Sequence, residues 1–167
     1  MNMLQENNWL LSVGTFLPML GVVVMMLIPK ASDQSVKLVA LATSVATLAV
    51  GIFTALKFDF GQAEKMQFVA DVEWISVIKS SYLIGVDGIS FPLYLLSMVI
   101  TLLVVIYSLD HVPSPGKPKA FFSLLLVLQT GMAGTFIAQD LILFFVFFEL
   151  VGRNIHCSRP DFVLRVL

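Results

Sequence analysis

Four long stretches of this sequence contain no Asp, Glu, Lys or Arg, and each is long enough to cross a lipid bilayer as a helix. An α-helix rises about 1.5 Å per residue, so a hydrocarbon core about 30 Å thick requires roughly 20 apolar residues. Charged residues make up only 13% of the chain, against about 25% in soluble domains. The sequence therefore predicts an all-α fold, a polytopic transmembrane helix bundle. The predicted full spans cover residues 9–29, 38–56, 88–109 and 120–139.

A fifth apolar run begins at Leu141 and meets Glu149 after eight residues, with Gly152 and Arg153 close behind. We predict a partial span over 141–151, because the run covers about half of a bilayer crossing and because we expect the helix to break at Gly152. The predicted organisation is a transmembrane helical region over 1–152 followed by an atypical polar tail over 153–167.

The basic residues fall mainly in alternate segments. Seven of the ten Lys and Arg lie in the first loop, in the third loop or after the fifth run. Short cytoplasmic loops of membrane proteins are enriched in Lys and Arg, so we expect an outside N-terminus and cytoplasmic first and third loops. No basic residue precedes the first span, unlike a secretory signal peptide, and we expect this span to be retained.

The second loop, residues 57–86, is the largest segment between spans and mixes aromatic with apolar residues. Trp74 and Tyr82 suit the interface between membrane and water, so we expect this loop to lie on the membrane surface. Asp87 is placed to cap the third helix. The fourth span contains Gly131 and Gly134, which indicate either close packing of another helix or the ordinary glycine enrichment of membrane helices.

Glu149 is the main candidate for chemistry. A helix that starts near Asp140 places it about 13 Å deep, close to the bilayer midplane. Ionisable residues at that depth are costly, and they mark proton or ion pathways by default. The alternative is a surface ion pair, because Glu149 and Arg153 have the favourable i, i+4 spacing.

Gln129 and Thr130 form a possible secondary polar pathway in the fourth span, although such residues more often hold helices together. The histidines, His111 and His156, lack a second ligand at metal spacing. The single cysteine, Cys157, excludes a disulfide within the chain. No phosphate-binding loop, nucleophile elbow or basic patch is present, so the sequence predicts no bound metal or cofactor and no nucleic-acid partner.

Two stretches carry a family resemblance, YLIGVDGISFPLYLLSMVIT (82–101) and KAFFSLLLVLQTGMAGTFIAQDLILFFVFFELV (119–151). They resemble subunit M of the proton-pumping NADH:quinone oxidoreductase, complex I, whose mitochondrial counterpart is chain 4. This is an antiporter-like subunit family. The resemblance implies that Glu149 matches the glutamate of the family's fifth helix, which pairs with a lysine on a later helix to transfer protons during quinone reduction.

The resemblance also implies that the chain is a subunit without a redox centre of its own. NADH, flavin and iron–sulfur clusters are expected in partner subunits, and quinone at a partner site. The expected partners are other membrane subunits of complex I and the lipid bilayer, and the expected location is the inner (plasma) membrane.

The last residues, GRNIHCSRPDFVLRVL, depart from the family, which continues the fifth helix with aliphatic residues. We therefore expect an N-terminal fragment of an antiporter-like subunit, truncated and not competent alone. Two alternatives remain at this point. One is a small membrane scaffold or assembly protein without transport, and the other is a cation/proton antiporter subunit.

Overall fold

In the computed structural model, the described residues are 8–27, 33–75, 80–111 and 118–157, and they form five α-helices, one short 3₁₀ helix and one β-hairpin. The helices are α1 (Asn8–Leu27), α2 (Asp33–Lys57), α3 (Ser90–Ser108), α4 (Pro118–Ile137) and α5 (Leu141–Cys157). Helices α1 to α4 are each long and apolar enough to cross a membrane. The chain is an all-α membrane protein, as the charge-free stretches predicted.

The helices pack as a bundle in which α1 and α3 each contact α2 and α4, while α5 packs on α4. Their buried side chains form two apolar clusters. The hairpin-side cluster includes Leu10, Leu11, Phe58, Phe68, Ile84, Val86, Phe91, Tyr94, Met98, Ala133, Ile137, Leu143 and Phe147. The far-side cluster consists of Val22, Met25, Val36, Ala40, Val105, Phe122 and Leu126. The two clusters lie toward opposite ends of the bundle.

The segment between α2 and α3 folds into the 3₁₀ helix Phe60–Gln62 and the strands β1 (Gln67–Ile75) and β2 (Ser80–Val86). The strands pair antiparallel, with Asp71 opposite Leu83. The register shifts near the start of β1, where Phe68 has a φ of 55° and a buried side chain. Such a bulge re-aims side chains, and here it turns Phe68 toward the helices. The sequence predicted only a surface loop in this segment.

Asp87 caps α3, as predicted. Its Oδ1 accepts hydrogen bonds from the backbone N–H groups of Ser90 (2.7 Å) and Ile89 (2.9 Å). The Ser90 hydroxyl in return accepts from the Asp87 N–H at 3.0 Å. These bonds satisfy donors that have no partner inside the helix, and they hold the pKa of Asp87 below its ordinary value, with the Ser90 N–H as the main cause.

The predicted break of the fifth helix at Gly152 is wrong, because α5 continues to Cys157. A glycine inside a helix is less favourable than alanine by about 1 kcal/mol, which weakens a helix without ending it. The residues from Arg153 to Cys157 are all compatible with helical backbone. The predicted tail beyond residue 157 lies outside the described residues.

Candidate proton-transfer site on the fifth helix

The start of α5 is fixed by Asp140. Its Oδ1 accepts hydrogen bonds from the backbone N–H groups of Ile142 (2.8 Å) and Leu143 (3.0 Å), and from the hydroxyl of Ser80 at 3.2 Å. The N–H of Leu143 is the main cause that lowers the pKa of this carboxyl. A carboxylate here also complements the positive end of the helix dipole. Asp140 therefore both begins α5 and ties it to the first residue of β2.

The turn between α4 and α5 extends the hairpin by one short pairing. Ala138 pairs with Ile84, and the N–H of Gln139 donates to the carbonyl of Leu83 at 2.9 Å. The side-chain amide of Gln139 donates to the carbonyl of Gly85 at 3.2 Å. Strand β2 thus holds the start of α5 through one backbone and one side-chain hydrogen bond of Gln139, which leaves the helix little freedom to slide.

One face of α5 lies against two glycines of α4. A Cβ placed on Gly134 would come within 2.2 Å of the Phe147 ring, and one on Gly131 within 2.8 Å of Val151. Glycine at these positions lets the two backbones approach closely, as small residues do between membrane helices. This geometry favours the packing interpretation of the fourth span's glycines. The buried residues Leu143 and Phe147 fill the contact.

Glu149 lies on the opposite, exposed face of α5. Its neighbours on that face include Phe145 and Phe148, which are 58% and 55% exposed. Nine residues after Asp140, Glu149 sits about 13 Å along the helix. Within the part of the chain that the structure describes, no ion pair joins it to Arg153, so the surface-pair interpretation has no contact to support it. The carboxylate faces out of the bundle amid aromatic side chains.

The structure does not bring Glu149 together with the predicted secondary pathway. Gln129 and Thr130 are both buried within the bundle. The Thr130 hydroxyl donates to the carbonyl of Leu126 at 3.2 Å, one turn back in its own helix. Glu149 instead lies on the face of α5 turned away from α4. A proton-transfer role for the three residues stays a prediction, and the described helices offer no contiguous route between them.

The sequence did not predict two buried hydroxyl groups that have no hydrogen-bond partner among the described residues, those of Thr15 in α1 and Tyr94 in α3. The Tyr94 hydroxyl approaches Gly14 so closely that a Cβ there would lie 2.2 Å from its oxygen. Thr15 lies near the middle of the first span, and this polar position in an apolar stretch could have been used to predict a buried polar group.

Among the described residues, no group of three His, Cys, Asp or Glu could hold a metal ion. His111 stacks on Tyr107 with ring centroids 4.5 Å apart.

Comparison with known proteins decides the family. The sequence model described as "NADH-ubiquinone oxidoreductase chain 4, amino terminus" matches residues 13–135, well over half of the chain. The chain belongs to the chain 4 family of NADH-ubiquinone oxidoreductase. The resemblance carried by residues 82–101 and 119–151 is thereby confirmed. Glu149 lies beyond the matched segment, so the match does not bear on its role.

Several relatives of the chain 4 family match at about one-third identity. The NAD(P)H-quinone oxidoreductase chain 4 2 of Microcystis aeruginosa is 33% identical over 151 residues, covering 89% of this chain and 26% of the relative. The chloroplastic chain 4 of Mesostigma viride is 34% identical over 143 residues, covering 85% and 27%. The F(420)H(2) dehydrogenase subunit M of Methanosarcina mazei is 34% identical over 107 residues, covering 64% and 21%. The chain spans about a quarter of the length of these chain 4 relatives.

Proposed function

We propose that this chain is the amino-terminal part of a proton-translocating membrane subunit of NADH:quinone oxidoreductase. It contributes Glu149 as a proton-transfer group and holds no redox centre of its own. NADH, flavin and iron–sulfur clusters belong to partner subunits, and quinone binds at a partner site. Membership of the chain 4 family supports this assignment, and the names of its relatives include quinone oxidoreductases.

The observation that carries the proposal is the placement of Glu149. A carboxylate near the middle of a membrane helix costs roughly 2.5–3.5 kcal/mol on insertion scales. Low-dielectric surroundings favour the neutral form of a carboxyl group, while a nearby cation favours the ionised form. A carboxyl whose cationic neighbour moves can therefore take up a proton and release it again. Glu149 is exposed on the outer face of α5, and a cationic group from outside the described bundle can approach it there.

An outside N-terminus in the inner (plasma) membrane is part of the same proposal. The side chain of Lys37 donates to the carbonyl of Leu109 at the end of α3. The side chain of Lys119 donates to the carbonyl of Met26 at the end of α1, at 3.1 Å. Cations at these helix ends complement the negative ends of the helix dipoles. Lys37 and Lys119 thus lie at the same end of the bundle, which fits the cytoplasmic side.

The test is Glu149→Gln, made in the chain at its own locus, with proton translocation and quinone reduction measured together in inverted membrane vesicles. We expect Glu149→Gln to abolish donor-driven acidification of the vesicle interior, because glutamine keeps the size of the side chain but cannot carry a proton. The matched control is Glu73→Gln. Glu73 is exposed on β1, outside the membrane spans, and its replacement should leave both activities intact.

Two results would contradict the proposal. Glu149→Gln vesicles that acidify as fast as Glu73→Gln vesicles would remove Glu149 from the proton path. Acidification that depends on Na⁺ and persists without NADH would point to a cation/proton antiporter instead. Blotting for the chain in the same vesicles ensures that loss of acidification is not loss of the protein.

A further inference from the structure

A layer of buried polar side chains crosses the middle of the bundle between its two apolar clusters. Each of the helices α1 to α4 contributes to it. The members are Thr15 in α1, Ser44 and Thr47 in α2, Thr101 in α3, and Gln129 and Thr130 in α4. Along each helix they lie between residues of the hairpin-side cluster and residues of the far-side cluster. We call this set the polar layer.

Most hydroxyl groups of the polar layer are satisfied by their own helix. Ser44 donates to the carbonyl of Ala40 at 2.9 Å, and Thr101 donates to that of Ser97 at 2.8 Å. Gln129 is different, because its side chain is fully buried and neither Oε1 nor Nε2 has a hydrogen-bond partner among the described residues. A carboxamide has two donors and an acceptor, and buried polar groups in proteins are almost always paired.

The Gln129 side chain points into the bundle and away from α5. At about 100° per residue, Gln129 shares a helix face with Phe122 and Leu126, which belong to the far-side cluster formed with α1, α2 and α3. The α5-contacting residue Gly131 is two positions on, which places it roughly opposite on the helix. The unpaired carboxamide and Glu149 therefore lie on different sides of α4.

Two more unpaired polar groups come from the helices that flank α4. The hydroxyls of Thr15 and Tyr94 lie beside each other, but neither has a partner of hydrogen-bond geometry in the described ranges. A contact between two hydroxyls uses one donor and one acceptor at most, so hydrogen-bonding capacity remains on both. Helices α1 and α3 both contact α4. Three residues on three neighbouring helices thus carry buried donors and acceptors that the described protein groups do not satisfy.

We propose that Gln129, with the hydroxyls of Thr15 and Tyr94, binds water in the middle of the α1–α4 bundle. Water is the ligand that fits, because it both donates and accepts hydrogen bonds and the unpaired atoms include both donors and acceptors. Buried waters in proteins typically make about three hydrogen bonds to groups of this kind. The site is separate from Glu149, so the proposed water site can be tested independently of the proposed proton transfer.

Radiolytic labelling of the whole chain in membrane vesicles tests the proposal. X-rays split bound water into hydroxyl radicals, which oxidise the nearest reactive side chains. Met98 and Met25 are both fully buried. Met98 and the Tyr94 hydroxyl both approach Gly14, whereas Met25 lies in the far-side cluster. We expect Met98 to be oxidised several-fold faster than Met25, and this comparison needs no variant.

Gln129→Leu should reduce the oxidation rate of Met98 to that of Met25, because leucine keeps the volume of the side chain but offers no polar atom. Thr130→Val is the matched control, since the Thr130 hydroxyl is bonded to its own helix and its loss should leave the Met98 rate unchanged. Equal rates for Met98 and Met25 in the unaltered chain would overturn the proposal. So would a Met98 rate that Gln129→Leu does not lower.

Discussion

Replacing Gly134 with alanine tests the close contact that holds α5, and Glu149 with it, against α4. A Cβ at this position would lie 2.2 Å from Cδ1 and 2.3 Å from Cγ of Phe147. These are atoms of a rigid ring near its attachment to the backbone, and Phe147 is only 5% exposed. The ring cannot move aside without repacking its buried neighbours, so the two helices must separate.

The size of the effect follows from two opposing contributions. Alanine is favoured over glycine inside a helix by about 1 kcal/mol. Overpacking of a close contact costs about 1–3 kcal/mol, and overlap with two ring atoms belongs in the upper part of that range. We expect Gly134→Ala to lower the free energy of unfolding by about 1–2 kcal/mol, which corresponds to a fall in melting temperature of about 2–8 °C for a chain of this size.

Gly152→Ala is the control for helix propensity, because a Cβ there would have no atom within 4 Å. It should raise the free energy of unfolding by about 0.5–1 kcal/mol. Both variants are measured by circular dichroism during thermal unfolding of the purified chain in detergent micelles. In a Phe147→Leu background, Gly134→Ala should lose at least about 1 kcal/mol of its penalty, since the ring that it strikes is gone.

One contrary result is that Gly134→Ala stabilises the chain as much as Gly152→Ala does. Another is that the effects of Gly134→Ala and Phe147→Leu simply add. Either result would mean that the ring contact does not limit the approach of the two helices.

Two further predictions concern the α3 cap and the orientation. Asp87→Ala should lower the free energy of unfolding by about 1 kcal/mol. Folding lowers the pKa of Asp87 below 3.8, so its contribution to stability is present above that pH and lost as the pH falls below it. The unfolding temperatures of the native chain and Asp87→Ala should therefore converge in acid. A difference that stays constant with pH would contradict this. In a Cys157→Ser background, Glu73→Cys should react with an impermeant maleimide on intact cells, and Asp110→Cys only after permeabilisation; the reverse pattern would invert the proposed orientation.

The helices were predictable because a segment that crosses a bilayer must be a long apolar stretch. A span must be apolar over its whole length, and the charges at Lys37 and Lys57 or at Asp87 and Asp110 delimit such stretches directly. Asp87 was predictable as a cap for the same local reason, since its role depends only on the next three residues.

The hairpin was not predictable by the same reasoning. Its pairing is nonlocal, and the register shift at Phe68 breaks the alternation by which a strand is recognised in a sequence. The direction in which the Glu149 side chain points was not predictable, for a similar reason. The sequence gives its depth along α5, but its direction depends on which face of α5 meets Gly131 and Gly134, and that contact lies between two helices.

The direction of Glu149 constrains what surrounds the working protein. With Phe147 buried against α4 and the start of α5 bonded to β2 through Asp140 and Gln139, the helix cannot rotate to bring Glu149 into the described bundle without breaking both contacts. A lipid-facing carboxylate at this depth would carry the full insertion cost. Water or a cationic protein group facing α5 would remove most of that cost by solvating or pairing the charge. The proposed proton path therefore reaches Glu149 at the outer face of α5, and not through the interior of the α1–α4 bundle.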